Sequence, residues 1–231
     1  PDNSINKQNI YVRDYSFNAI FNLKQYGFID FGIHKQKINY QDSSELENLQ
    51  YYSFNLNIDQ IDDILYPKAG YKYKYSFQQN NDNYKYYLGK LEFNHFIPIS
   101  HVYRIKYYGD IIHSNLNHSD NLLKYKSIHY IPYDRTLSYS QFSLFVNKMF
   151  SHGLEINIDY KNSTTIRLLY NNVYESEFKH NGEKYNNLRS YGFGLRIKSI
   201  LGPLNFMWTT TNNPIYNGKQ NNYFFNLGFN Y

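Results

Sequence analysis

The residue types that could carry chemistry gather in two places. The first is the stretch 113–136, "HSNLNHSDNLLKYKSIHYIPYDRT", which holds His113, His118, Ser119, Asp120 and His129. A hydrolase of the serine type needs a hydroxyl, a base and an acid that orients the base, and these residues supply all three. Their spacing is not distinctive, and a polar loop is the simpler reading. The second is "DQIDD" (59–63), where Asp59, Asp62 and Asp63 either gather around a calcium ion or end a strand with acidic residues. The strand end is again simpler. No set of histidines has the spacing of a zinc site, and there is no cysteine to complete one. The G-x-S-x-G nucleophile elbow and the P-loop are absent, and Gly192 and Gly194 lack the third glycine of a dinucleotide fingerprint. The sequence therefore reads as non-enzymatic, with no metal and no cofactor. A net charge of +5 falls short of a nucleic-acid-binding signature, so nucleic acid is not expected as a partner.

What would position any such group is a series of strands. Period-two alternation recurs along nearly the whole chain. Phe17, Ala19, Phe21 and Leu23 alternate with Asn18, Asn22 and Lys24, and Ile29, Phe31 and Ile33 with Asp30, Gly32 and His34. The same pattern runs through 52–59, 71–78, 90–97, 103–107, 154–160, 191–198 and 204–209, and again through the closing "YFFNLGFNY" (223–231). Turn residues fall between: "YPKAG" (66–70), "QQNNDN" (78–83), "SHG" (151–153) and "LGP" (201–203). The segment "SSELENLQ" (43–50) has the look of a helix start but is too short to matter. Segments 114–136 and 174–189 read as extended loops. About twelve antiparallel strands in up-and-down order are expected, within a single all-β domain spanning 1–231. The chain opens on Pro1, which is read as a mature protein or an excised piece of a longer one.

The next question is which face meets water. Aromatics are 20% of the chain and the whole hydrophobic set only 42%, so nearly half of the apolar positions are aromatic. Stripes that end in Tyr or Phe, such as those at Tyr52, Tyr71, Tyr160, Tyr170 and Tyr191, suit the headgroup level of a bilayer. The opposite positions are rich in Ser, Asn and Gly, as an enclosed polar lumen would prefer. Strands of about ten residues match a tilted transmembrane strand. No run of about 18 apolar residues exists, which excludes a transmembrane helix. The expected fold is thus a transmembrane β-barrel with its apolar face toward lipid. Soluble lipid-binding barrels, with that face inward, and small enzyme barrels with a site in the 114–136 loop, remain as alternatives. In the favoured arrangement Lys72, Lys74, Arg104, Lys106, Arg196 and Lys198 line the lumen. There they either attract anions such as lipopolysaccharide or are neutralised by Glu92, Glu155 and Asp159. The last strand is expected to close the cylinder against the first.

Two motifs go beyond periodicity. "FNLNIDQIDDILYPKAGYKYKYSF" (54–77) carries acidic residues, then Tyr66-Pro67-x-x-Gly70, then an alternating strand. Pro67 fixes φ and ends one strand, and Gly70 relieves the re-entry into the next. "YGFGLRIKSILGPLNFMW" (191–208) carries a Gly-alternating strand, a Gly202-Pro203 turn and a further strand. In this order the motifs resemble the bacterial surface antigen superfamily of outer-membrane barrels, over roughly 50–112 and 188–231. The resemblance implies a bacterial outer-membrane location, about sixteen strands in the complete barrel, and a role in polypeptide insertion or translocation. It also implies that Tyr223, Phe225, Leu227, Phe229 and Tyr231 form the terminal signal read by barrel assembly machinery. The Val-Arg-Gly-Phe/Tyr motif of assembly factors and secretion transporters is not found; the nearest stretches are "YDRTLSY" (133–139) and "LRSY" (188–191). The sequence is therefore most similar to the barrel appended to patatin-like phospholipases, which implies an attached N-terminal domain as passenger. Outer-membrane lipid and lipopolysaccharide are the other implied partners.

Overall fold

The structure, a computed structural model, describes residues 10–40, 46–63, 67–80, 85–115, 148–160, 163–175, 179–180, 183–184, 187–200, 202–213 and 218–227. The strands in chain order are β1 (Ile10–Asn22), β2 (Gly27–Tyr40), β3 (Leu46–Asp59), β4 (Gly70–Asn80), β5 (Tyr86–Pro98), β6 (Tyr103–Ser114) and β7 (Lys148–Tyr160). They continue as β8 (Thr164–Glu175), β9 (Lys179–His180), β10 (Glu183–Lys184), β11 (Asn187–Ser199), β12 (Gly202–Asn213) and β13 (Gly218–Leu227). All but β9 and β10 form one eleven-stranded meander in sequence order, and β9–β10 is a small separate hairpin between β8 and β11. Every ladder is antiparallel. The strands of the meander run from 10 residues (β13) to 14 (β2, β3). At about 3.4 Å per residue and a tilt near 40°, such strands cover about 30 Å, the thickness of a hydrocarbon layer.

The faces sort by parity, with a mixed interior: the enclosed side also buries Leu49, Tyr108, Ile112, Leu169 and Val173, and Ile20 and Phe28 of the same parity are exposed near the turn end of β1 and β2. Phe17, Phe31, Tyr52, Ile156, Leu168, Phe193, Phe206 and Tyr223 are exposed, with Phe17 at 74% and Tyr223 at 81%. The alternate positions, including Ser151, Glu155, Asn171, Arg167 and Thr209, are buried, with Glu155 at 2% and Ser151 at 0%. The polar side is the enclosed side and the apolar side the open one. In a water-soluble sheet the assignment is the reverse.

One turn expected from the sequence is corrected here. "SHG" (151–153) was expected as a turn and lies within β7. The reason is packing: Tyr108 on β6 lies across Gly153, and a Cβ there would meet its ring at 2.4 Å. Leu46–Gln50, with its helix-start look, begins β3 and pairs with β2. The eleven strands of the meander fit the expected count of about twelve in up-and-down order.

An odd meander has a geometric consequence. β1 and β13 run in the same direction, from the end carrying the two longest connections (115–147 and 176–186) toward the end with the turns. A ladder joining them directly would be parallel. No such pairing occurs among the described residues, so the expected seam between first and last strand is not among the ladders seen.

The Tyr108–Gly153 contact yields a test. Gly153→Val is expected to destabilise the fold by about 1–3 kcal/mol through overpacking. Gly89→Val, where the nearest atom to a new Cβ is 3.8 Å away, is expected to change the denaturation midpoint in detergent by little.

Candidate functional site

The enclosed face carries a charge network built by same-parity residues on neighbouring strands. On β7 and β8, Arg167 Nε and Nη2 donate to Glu155 Oε1 and Oε2 at 2.6 and 2.9 Å, a bidentate pair buried on both sides. One step toward the turn end, Arg104 Nη2 on β6 donates to Asp159 Oδ1 at 2.7 Å, and Thr165 Oγ1 donates to the same oxygen at 2.7 Å. Arg104 Nη1 also donates to the Pro67 carbonyl at 2.9 Å, so the β3–β4 turn is tied to the interior of β6. Lys72 pairs with Asp59 at 2.5 Å and Lys90 with Glu92 at 2.6 Å. Arg196 Nε donates to Asn205 at 2.9 Å, and Lys106 lies over the Tyr108 and Phe96 rings at 4.9 and 5.7 Å. Lys74 and Lys198 share the parity of these residues on β4 and β11. Pairing of this kind is required when charges leave bulk water.

The turn motif is organised by a residue that spacing alone did not single out. Asp62 Oδ1 accepts from the backbone N–H of Lys68 and Ala69 at 2.8 and 3.1 Å, and the Asp62 N–H donates to the Ala69 carbonyl at 3.2 Å. Burial raises the Asp62 carboxyl, and the backbone donors of Ala69, Lys68, Asp62 and Asp63 together outweigh it, holding the group below the ordinary aspartate value of 3.8. Gly70 follows with φ of 108°, where a Cβ would lie 2.0 Å from the Gln60 carbonyl oxygen. Gly202 has φ of 106° and Pro203 is buried beside it at the start of β12. Tyr66 lies outside the described residues. Asp59 and Asp62 of the acidic run are thus engaged by Lys72 and by the turn backbone. Among the described residues no group of three or more potential metal ligands occurs.

On the open face, Tyr223, Phe225 and Leu227 of β13 are exposed side by side, with Phe225 packed on Phe206 of β12 at 4.9 Å between ring centroids. Phe229 and Tyr231 lie outside the described residues. His113 sits at the end of β6 stacked on Tyr87 at 5.2 Å, while His118, Ser119, Asp120 and His129 fall outside the described residues.

Strand pairing brings together a different Asp–His–Ser set, on β1, β2 and β3. His34 Nε2 lies 2.9 Å from Ser53 Oγ, and His34 Nδ1 lies 3.7 Å from Asp14 Oδ1. The second distance exceeds a hydrogen bond, and Asp14 Oδ2 instead accepts from Gln36 Nε2 at 2.8 Å. The His34 ring lies flat on Tyr51, 4.5 Å between centroids and 2° between planes. The acid that would orient a catalytic base is engaged elsewhere, and this set holds three strands together. The only sequence signal for it is shared parity across strands whose register was not known.

An all-antiparallel, up-and-down meander with its polar side enclosed and its apolar side open defines the fold class: an all-β sheet of the kind found in outer-membrane β-barrels. No family model and no curated protein matches the chain. Among solved structures it is similar to the crystal structure of BamA from Haemophilus ducreyi lacking POTRA domains 1–3. That likeness has a TM-score of 0.68 and 16% identity, and it covers 94% of this chain and 53% of that one. At this identity it is a likeness of fold, and the chain spans about half the length of the BamA chain it matches.

Two outcomes are expected from these contacts. Glu155→Gln leaves the Arg167 guanidinium buried without its counter-charge and should cost about 3–5 kcal/mol in a denaturant titration. Replacing both partners, Glu155→Met with Arg167→Leu, should cost less. The Asp62 contribution to the β3–β4 turn is complete above pH 3.8 and is lost as pH falls through the lower folded-state value. Asp62→Asn should remove that acid-side loss from the stability–pH curve.

Proposed function

We propose that this chain is a β-barrel domain of the bacterial outer membrane, anchored in the bilayer and serving polypeptide insertion or translocation. The observation that carries the membrane part is the inverted sheet: exposed Phe, Ile, Leu and Tyr on one side, and a paired charge network enclosed on the other. Water would have to cover that apolar face, whereas lipid covers it at no cost. The enclosed Asn171, whose side-chain nitrogen and oxygen have no protein partner, fits a hydrated lumen better than a dry core. The fold likeness to the BamA barrel and the resemblance of the turn motifs to the surface antigen superfamily support insertion or translocation over simple anchoring.

In this reading the end with connections 115–147 and 176–186 faces outward from the cell, because outer-membrane barrels carry their long loops there. The lumen-facing cations Lys72, Lys74, Arg104, Lys106, Arg196 and Lys198 serve first to neutralise the interior. The meander reads as part of a larger barrel, because antiparallel closure across two edges that run the same way takes an odd number of further strands. The outward aromatics of β13 form the signal read by the assembly machinery, and lipopolysaccharide is the lipid partner. An attached patatin-like domain rests on the sequence resemblance alone.

The experiment has two arms. Purified chain should require detergent for extraction and migrate faster on gels before boiling than after; a monodisperse, detergent-free monomer would contradict the membrane reading. In vesicles, the inserted chain should raise the folding rate of a second, added outer-membrane barrel above that in empty vesicles. Equal rates would leave an anchor without an insertion role.

A further inference from the structure

Charges on the open face are distributed in a way the proposed function does not require. Among the described strand residues, the charged side chains with outward parity are Arg13, Lys35, Lys37, Lys148, Arg189 and Lys219, and each of them is exposed. All are cations. All lie at the end of their strands nearest the long connections: Arg13, Lys148, Arg189 and Lys219 within the first residues of β1, β7, β11 and β13, and Lys35 and Lys37 in the last turns of β2 before its loop. The opposite rim has none on its strands, where Tyr71, Ile97, Tyr103 and Tyr160 stand instead, and the exposed Lys24 and Lys68 of its turns share that rim with the exposed carboxylates of Asp62 and Asp63.

If these cations were merely long side chains reaching the nearest interface, both rims would carry them, and carboxylates would be mixed among them. Inside the sheet, by contrast, Lys72, Lys90, Arg104 and Arg167 each meet a carboxylate. The outward set has no acidic neighbour on its own face among the described strand residues. The densest part shows a layered order. Phe17 pairs across from Ile33, Tyr15 from Lys35, and Arg13 from Lys37, so the face passes from apolar to aromatic to cationic within a few residues. That is the profile of a membrane interface whose headgroups are anionic, on one leaflet only.

We propose that these residues form a cationic collar that binds the phosphate groups of lipids in the leaflet at the long-loop end, with Arg13, Lys35 and Lys37 as its strongest site. The ligand class is a phosphorylated glycolipid headgroup, engaged by the guanidinium fork of Arg13 and the two ammonium groups, with its acyl chains over Phe17, Phe31 and Ile33. The inference rests on the membrane reading and adds which leaflet and which residues.

The test uses the purified full chain in zwitterionic vesicles, titrated with lipid A, with its dephosphorylated form, and with inorganic phosphate. Lipid A should bind preferentially, and each of Arg13→Gln, Lys35→Gln and Lys37→Gln should weaken it about fivefold at low salt. The triple variant should lose the preference for the phosphorylated form, while the inward Lys74→Gln keeps it. Equal binding of the dephosphorylated lipid, or unchanged binding by the triple variant, overturns the collar. Protection by inorganic phosphate equal to that by lipid A overturns the lipid assignment in favour of a soluble-anion site. A chain that inserts and shows gel heat-modifiability in plain zwitterionic vesicles but no phosphate preference overturns the collar alone. A chain that does not insert overturns the reading beneath it.

Discussion

The constraint on which everything else depends is that this sheet encloses its polar side. Between neighbouring strands from β1 to β13 the backbone groups are satisfied by antiparallel ladders, so away from the cations at one rim the open face does not require water. Once the apolar residues face outward, the interior must accommodate Asp, Glu, Lys and Arg at close quarters, and it can do so only by pairing them. Glu155 with Arg167, Arg104 with Asp159, and Lys72 with Asp59 are the result. The inverted face thus accounts for the interior chemistry, the aromatic composition and the length of the strands together.

The same network couples parts of the chain that sequence places far apart. Arg104 links the β3–β4 turn, through the Pro67 carbonyl, to Asp159 and Thr165 on the far side of β6. The turn is itself held closed by Asp62 and by a glycine in a conformation that other residues rarely adopt. The turn motif that resembles a family signature therefore has a local physical role: it shapes one rim of the sheet and anchors it to the interior. The rim at the other end has fixings of its own, such as Asn115, which accepts from the Tyr87 N–H and donates to the Lys85 carbonyl, and its outward face carries exposed cations.

Much of this was legible in the sequence because a period of two directly reports the side to which a residue points. Tyr191, Phe193, Leu195 and Ile197 against Gly192, Gly194 and Arg196 define both faces of β11 before any coordinates are known. What periodicity cannot report is register. It could not show that Tyr108 sits over Gly153, so Ser151–Gly153 read as a turn. Nor could it show that His34 meets Ser53, or that Asp62 rather than Asp63 closes the turn on Lys68 and Ala69. The direction shared by β1 and β13 likewise emerges only when strands are counted through the ladders. Side-chain parity was available from the start; partners were not.

The most direct measurement of the central claim is site-directed spin labelling along β11, one position at a time from Tyr191 to Ile197, in the full chain reconstituted in vesicles. Accessibility to oxygen, which concentrates in lipid, should peak at Tyr191, Phe193, Leu195 and Ile197. Accessibility to a water-soluble nickel complex should instead peak at Gly192, Gly194 and Arg196. Opposite phases would place the apolar face inward, as in a soluble lipid-binding barrel, and would contradict the account.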